Sequence, residues 1–189
     1  ANTTGNKNVA VGKDALGANT TANDNVALGA WALNANTTGM RNVGVGCSAL
    51  YTNTTVNNTV AIGHKAAFNL TDGAIQNTFV GHEAGYTHTS GPDNVYIGYN
   101  AGWYSTTSYQ NVAVGKGALY QITTGYNNIG IGKHAAYAIT TGDSNTCMGE
   151  AAGLNISTAN GNTCLGKASG LAITTGNNNI CIGENGGRS

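Results

Sequence analysis

Short apolar runs return along the chain at a fixed interval. Val9-Ala10-Val11, Val26-Ala27-Leu28, Val60-Ala61-Ile62 and Ile129-Gly130-Ile131 each follow a polar residue, nearly always Asn, and each is closed by Gly. The closing glycines are Gly12, Gly29, Gly46, Gly63, Gly81, Gly98, Gly115, Gly132, Gly149, Gly166 and Gly183, spaced 17 residues apart with one interval of 18. Copies of one unit filling a chain predict a solenoid rather than a single closed core. Each position of the unit then becomes a stripe along a rod.

Counting the leading Asn as position 1, a unit runs from Asn25 to Arg41. Alternation at positions 2 to 4 predicts a strand of about five residues with one apolar face. Position 4 (Val11, Leu28, Ile62, Ile131 and their equivalents) is the most uniformly aliphatic column, which predicts that it is buried. Position 8 is almost always Ala, a small side chain expected to point inward. The Thr-Thr pairs at positions 13 and 14 predict a second turn, and a second short extended stretch completes the rung. Helix is excluded, because Gly recurs in every unit and no spacing of three and four persists. The repeated Asn predicts a ladder of side-chain amides bonded from rung to rung. The reading is therefore all-β: a parallel β-solenoid of eleven rungs, one repeat domain over residues 1–189, a rod on the order of 50 Å long at ~4.8 Å per rung. The 18-residue rung is expected to absorb its extra residue in the turn at 71–76. Both ends fall within a repeat, so the sequence reads as a segment of a longer protein.

The run Asn58-Thr59-Val60-Ala61-Ile62-Gly63, with Asn127-Asn128-Ile129-Gly130-Ile131-Gly132 and Asn178-Asn179-Ile180-Cys181-Ile182-Gly183, resembles the head repeats of trimeric autotransporter adhesins of the YadA-like kind. The Asn-Thr-Thr-Gly segments are similar to repeats of bacteriophage tail fibres. These heads use a shorter rung, so the second turn is longer here. The resemblance implies a left-handed parallel β-roll, a homotrimer, and an extracellular location on a bacterial surface or a phage virion. Trimerisation is also expected from the columns. Positions 2, 4, 8, 9 and 10 are all mostly apolar or small, a thin rung cannot enclose them all, and an outward apolar stripe is an association site.

Charge narrows the partners. Eight Lys and Arg balance eight Asp and Glu, leaving no basic face for nucleic acid, and no apolar run is long enough to insert in a membrane. The acids are scattered over turns without a paired column, so no catalytic residue is assigned and no enzyme activity or cofactor is expected. His64 and His82 share position 6 one rung apart. A metal could bridge them, but with no carboxylate or cysteine read nearby in that column they are taken as solvated turn residues, and no metal is assigned. Cys147, Cys164 and Cys181 stack at position 3 as small apolar fillers rather than disulfide partners.

Aromatics supply the candidate site. Tyr51, Phe68, Tyr86, Trp103, Tyr120 and Tyr137 occupy position 10 in six consecutive rungs and read chiefly as a structural ladder. Tyr99, Tyr104, Tyr109 and Tyr126 lie off that column at turns and, with Trp103, form the candidate ligand-binding set. The repeat also departs most from its pattern between Asn77 and Asn127, where Phe79 and Tyr96 replace the small residue at position 3 and Pro92 is the sole proline. The expected function is a non-catalytic attachment fibre or adhesin head segment binding a surface glycan or an extracellular protein receptor. One alternative is an ice-binding solenoid using the Thr columns (Thr20, Thr37, Thr54, Thr106, Thr123, Thr140 and Thr174), although adjacent Thr at a turn suits turn hydrogen bonding better. Another is a passive spacer of a phage tail fibre.

Overall fold

The computed structural model describes residues 2–71 and 73–187. Eleven three-residue strands form one parallel sheet in chain order: β1 Val9–Val11, β2 Val26–Leu28, β3 Val43–Val45, β4 Val60–Ile62, β5 Thr78–Val80, β6 Val95–Ile97, β7 Val112–Val114, β8 Ile129–Ile131, β9 Thr146–Met148, β10 Thr163–Leu165 and β11 Ile180–Ile182. Each residue pairs with its equivalent one rung on, as Val26 does with Val43 and Val60 with Thr78. The β-solenoid expected from the spacing is present, with strands shorter than the five residues expected.

The second extended stretch does not form a strand. Among the described residues its trace is one isolated parallel bridge, Tyr109 to Tyr126. Outside the sheet the backbone turns tightly, yet it still bonds from rung to rung. Trp31 N donates to Lys13 O at 2.8 Å, Leu33 N to Ala49 O at 2.9 Å and Thr37 N to Thr54 O at 2.9 Å. The turns depend on left-handed backbone at positions 5, 7, 9 and 17, shown by Gly29 (φ 135), Trp31 (φ 59), Leu33 (φ 51) and Arg41 (φ 58). A non-glycine residue in that region costs roughly 1–2 kcal/mol. The stacked hydrogen bonds and the burial they permit offset it.

The strand faces are the reverse of the sequence expectation. Position 3 points inward and positions 2 and 4 point out. Ala27, Ala61, Tyr96 and Cys147 are fully buried, whereas Leu28 is 47% exposed, Ile62 40%, Ile97 38% and Met148 41%. Aliphatic character misled here, and size decides the matter. The coil is thin, so position 3 lies against position 9 across the interior and has room only for what its partner leaves. Side chains alternate along a strand, so an inward position 3 places both of its neighbours outside.

The interior holds the columns at positions 3, 8, 9, 12 and 15, including Ala32, Leu33, Leu50, Leu119, Ile122, Ile139 and Ile156. Position 1 is buried too, as the amide ladder predicts. Asn128 Nδ2 donates to Asn111 Oδ1 at 3.2 Å, and Asn145 Nδ2 to Asn128 Oδ1 at 3.0 Å. Asn145 N also donates to Asn128 Oδ1, at 3.0 Å, while Asn128 Nδ2 reaches Gly142 O across the rung at 2.7 Å. Each amide thereby joins three levels of the coil. The expected turn of the 18-residue rung lies at 71–76, within which residue 72 is outside the described residues.

Candidate functional site

Three surfaces are built by this register. The first is the sheet itself. Positions 2 and 4 of eleven strands stand side by side as a mostly apolar face, broken by Thr78, Thr146 and Thr163, with Val9, Val11, Ile180 and Ile182 exposed at its ends and Leu28, Ile62, Ile97 and Met148 along its length. Single exposed aliphatics are ordinary on a soluble protein, but a contiguous stripe of them is a contact surface.

The second surface is aromatic and follows the strand's exit. In the position-10 column, Tyr51 stacks on Phe68 at 5.0 Å, Phe68 on Tyr86 at 5.4 Å, Tyr86 on Trp103 at 5.3 Å, Trp103 on Tyr120 at 6.0 Å and Tyr120 on Tyr137 at 4.9 Å. Their planes lie within 19° of parallel at the widest, so each ring faces its neighbours. A ladder of this kind is a brace along the rod, and its ring faces are taken. Tyr104 breaks the pattern by standing edge-on to both Trp103 (4.4 Å) and Tyr120 (5.3 Å). Position 6 makes a shorter second column, His64 on His82 at 5.1 Å and His82 on Tyr99 at 5.2 Å.

Between the two columns lies a shallow pocket of about 190 Å³, walled by Tyr99, Lys116, Tyr120, His134 and Tyr137. A wider hollow of about 390 Å³ continues past His134 and Tyr137 to Leu154 and Asn155. Lys116 Nζ lies 5.6 Å from the centre of the Tyr99 ring. Partial burial, then the Lys133 and Lys116 ammonium groups, hold the His134 imidazole below its ordinary value, with Glu150 opposing. Burial and the neighbouring phenols raise the Tyr120 hydroxyl, keeping it a donor. The pocket therefore offers phenol, ammonium and imidazole groups against apolar ring edges. That chemistry suits an oxygen-rich ligand.

Of the sequence-derived candidates, Tyr99 (51% exposed), Trp103 and Tyr104 (46% exposed) come together on this aromatic face. Tyr109 and Tyr126 do not join them. They precede the strand instead of following it, and stack on each other at 4.8 Å and 3°. Asp143, which accepts from Tyr126 N at 3.0 Å, is the main cause raising the Tyr126 hydroxyl. Sequence reading missed Lys116, Tyr120, His134 and Tyr137 as pocket walls. The column index carried that signal, since positions 6, 7 and 10 recur on one side of the coil.

The third surface is the threonine corner. Position-13 hydroxyls donate to the carbonyl one rung on: Thr37 Oγ1 to Thr54 O (3.1 Å), Thr106 to Thr123 O (2.9 Å), Thr123 to Thr140 O (3.0 Å) and, more weakly, Thr20 to Thr37 O (3.3 Å) and Thr140 to Ser157 O (3.4 Å). Thr174 is exposed. The partners at position 14, such as Thr38, Thr124 and Thr141, face solvent.

Within the coil, Phe79 and Tyr96 are fully buried, and a polar chain accompanies them. His88 Nε2 lies 2.7 Å from Gly91 O and must donate there, which leaves Nδ1 to accept from Ser105 Oγ at 2.6 Å. Ser105 meets Ser108 at 2.7 Å, and Tyr96 Oη meets Ser108 at 2.8 Å. Burial drives the His88 pKa down to about 4. The Ser-His pairing resembles a nucleophile and base, but both residues are fully buried and no substrate can reach them. Cys147, Cys164 and Cys181 are likewise buried and unbridged.

One group could hold a metal. His64, His82 and Glu83 bring their ligand atoms within 4.8 Å of one another. The sequence reading looked along position 6 alone and so missed Glu83, which reaches the two histidines from position 7. Cys47 also shares their column one rung earlier.

No family model matches the chain, and neither a curated protein nor a solved structure matches it. Among the described residues no helix is long and apolar enough to cross a membrane.

Proposed function

We propose that the chain is a rod segment of an extracellular attachment fibre, on a bacterial surface or a phage virion, that assembles as a homotrimer and binds a surface receptor without catalysis. The observation that carries this reading is the apolar sheet face. The register repeats an apolar residue at position 4 of every strand and an aliphatic one at position 2 of eight of the eleven, with Thr78, Thr146 and Thr163 in the rest, although the interior is already filled by other columns. A lone coil would leave that face in water, and burying it against copies of itself stabilises by ~25 cal/mol per Å² removed from water. Identical rods related by a rotation axis parallel to their length cover one another's faces along the whole fibre. The adhesin-like repeat signature supports the same assembly and supplies the number three.

The aromatic pocket is the proposed receptor contact. Its shallow shape, its phenol and ammonium donors and its exposed Tyr99, with Tyr104 edge-on to the Tyr120 wall beside it, suit a glycan, whose hydroxyls need several donors and whose ring faces pack on aromatic edges. Binding of the purified chain to a printed glycan array tests this, with a Tyr99→Ala/Tyr104→Ala/Lys116→Ala variant as comparison. Selective glycan binding lost in the variant is expected. Silence of both proteins on the array, with assembly intact, would leave the passive spacer as the better reading.

Ice binding remains the second reading, for one reason: the sheet presents an in-register array of methyl-bearing side chains. The threonine columns favour it less, since several of their position-13 hydroxyls bond to the protein's own carbonyls. A thermal-hysteresis assay on the unassembled chain separates the two, because an attachment fibre leaves ice growth unshaped.

A further inference from the structure

His64 and His82 follow β4 and β5 at the same column, exposed, with rings 5.1 Å apart and 27° from parallel. Packing does not require histidine there, because the column elsewhere holds Lys13, Ala30, Lys116 and Glu150. Glu83 stands beside them, half-buried, with Oε2 at 4.0 Å from His82 Nδ1. A second contact fixes that carboxylate: Trp103 Nε1 donates to Glu83 Oε2 at 3.1 Å. Hydrogen-bond donors behind a carboxylate are how metal sites hold their ligands in place. The nearby Lys65 ammonium lies over the Phe68 and Tyr86 rings, 6.0 and 5.9 Å from their centres, and among the described residues Glu83 makes no salt bridge with a lysine or arginine.

We infer that His64, His82 and Glu83 bind a divalent transition ion of the zinc class. Bonds of about 2.0–2.1 Å require donors roughly 3–3.5 Å apart. The three ligand atoms, within 4.8 Å of one another, reach that by small rotations of two exposed imidazoles. Two nitrogens and one carboxylate oxygen select zinc, copper or nickel over magnesium or calcium. Three protein ligands leave at least one position for water, so the ion lies open to solvent beside Trp103.

The test uses that neighbour. In a Trp31→Phe background Trp103 is the sole indole, and Cu²⁺ bound at the site quenches its fluorescence. Titration should saturate at one ion per chain, with Zn²⁺ competing for the same site. His64→Ala and His82→Ala should each weaken binding at least about tenfold, and Glu83→Gln should do so while keeping an acceptor for Trp103. His134→Ala and Cys47→Ser should bind as the parent does. The inference is overturned if the His64→Ala/His82→Ala double variant quenches like the parent, if no saturable binding occurs at micromolar Cu²⁺, or if Cys47→Ser alone abolishes it. Unchanged circular dichroism confirms that the variants, none at a fully buried position, remain folded.

Discussion

The ring of Phe79 fills the space that a side chain on Gly85 would need, and both residues are buried. Tyr96 and Gly102 repeat the relationship, as do Cys147 with Gly153 and Cys164 with Gly170. Where position 3 is Ala or Gly, position 9 often carries Leu, in the pairs Ala27/Leu33, Gly44/Leu50 and Ala113/Leu119. The two columns share one interior volume, large opposite small.

Phe79→Ala should therefore open a cavity and cost about 3–5 kcal/mol, and Gly85→Leu alone should overpack the rung. Together they copy the residue types of the Ala113/Leu119 pair. Leu119, at φ 49, packs on Gly130 of the following rung, where the buried Tyr96 stands after Phe79. The double variant is therefore expected to recover only part of the Phe79→Ala loss in a denaturant double-mutant cycle. Additive losses would show that the columns do not share volume.

Acid should destabilise the middle rungs through His88. Its folded pKa of about 4 lies below the ordinary 6.5, so the unfolded chain binds the proton first as pH falls. Stability is complete above pH 6.5 and declines toward pH 4 by up to about 3 kcal/mol. His88→Asn places at position 12 the residue that Asn19, Asn36 and Asn53 already supply. It should flatten the pH dependence of the melting temperature over that window, and an unchanged slope would assign the effect to other groups.

The asparagine ladder predicts a local defect. Asn128→Ala removes the acceptor of the Asn145 backbone N–H, leaving that buried donor unpaired at roughly 1–3 kcal/mol, while the Asn145 side-chain amide keeps Ala159 O as a partner at 2.8 Å. Rungs support their neighbours, so amide exchange should accelerate at Asn111 and Asn145 while distant rungs stay protected. Uniform acceleration along the rod would contradict this.

Period and glycine placement made the solenoid, its parallel sheet and its Asn ladder legible in the sequence, because each depends on residues recurring in register. The inside and outside of the strand were not legible that way. Val and Ile at positions 2 and 4 look like core by hydrophobicity, and the deciding quantity is the depth of the coil, which no single unit reveals. Left-handed turns at Trp31, Leu33 and Arg41 were hidden too, since their residue types do not favour that conformation. At the candidate site, Tyr99, Trp103 and Tyr104 could be picked out as departures from the repeat. Their separation from Tyr109 and Tyr126 required knowing which side of the strand each turn occupies.

The outward face also changes what substitution there should do. Ile131→Asp, at a position the sequence suggested was core, is expected to leave the coil folded and to weaken assembly instead. Far-ultraviolet circular dichroism and limited proteolysis check the first half. Rapid cleavage within that rung would place Ile131 back inside.

The mass of the native assembly tests the account most directly. Sedimentation equilibrium of the purified chain should give three copies per particle. A Leu28→Asp/Ile62→Asp/Ile97→Asp variant, altered only at exposed strand positions, should give a folded monomer. A parent chain that remains monomeric at high concentration, or a triple variant that still forms trimers, would contradict the claim that the apolar sheet face holds the fibre together.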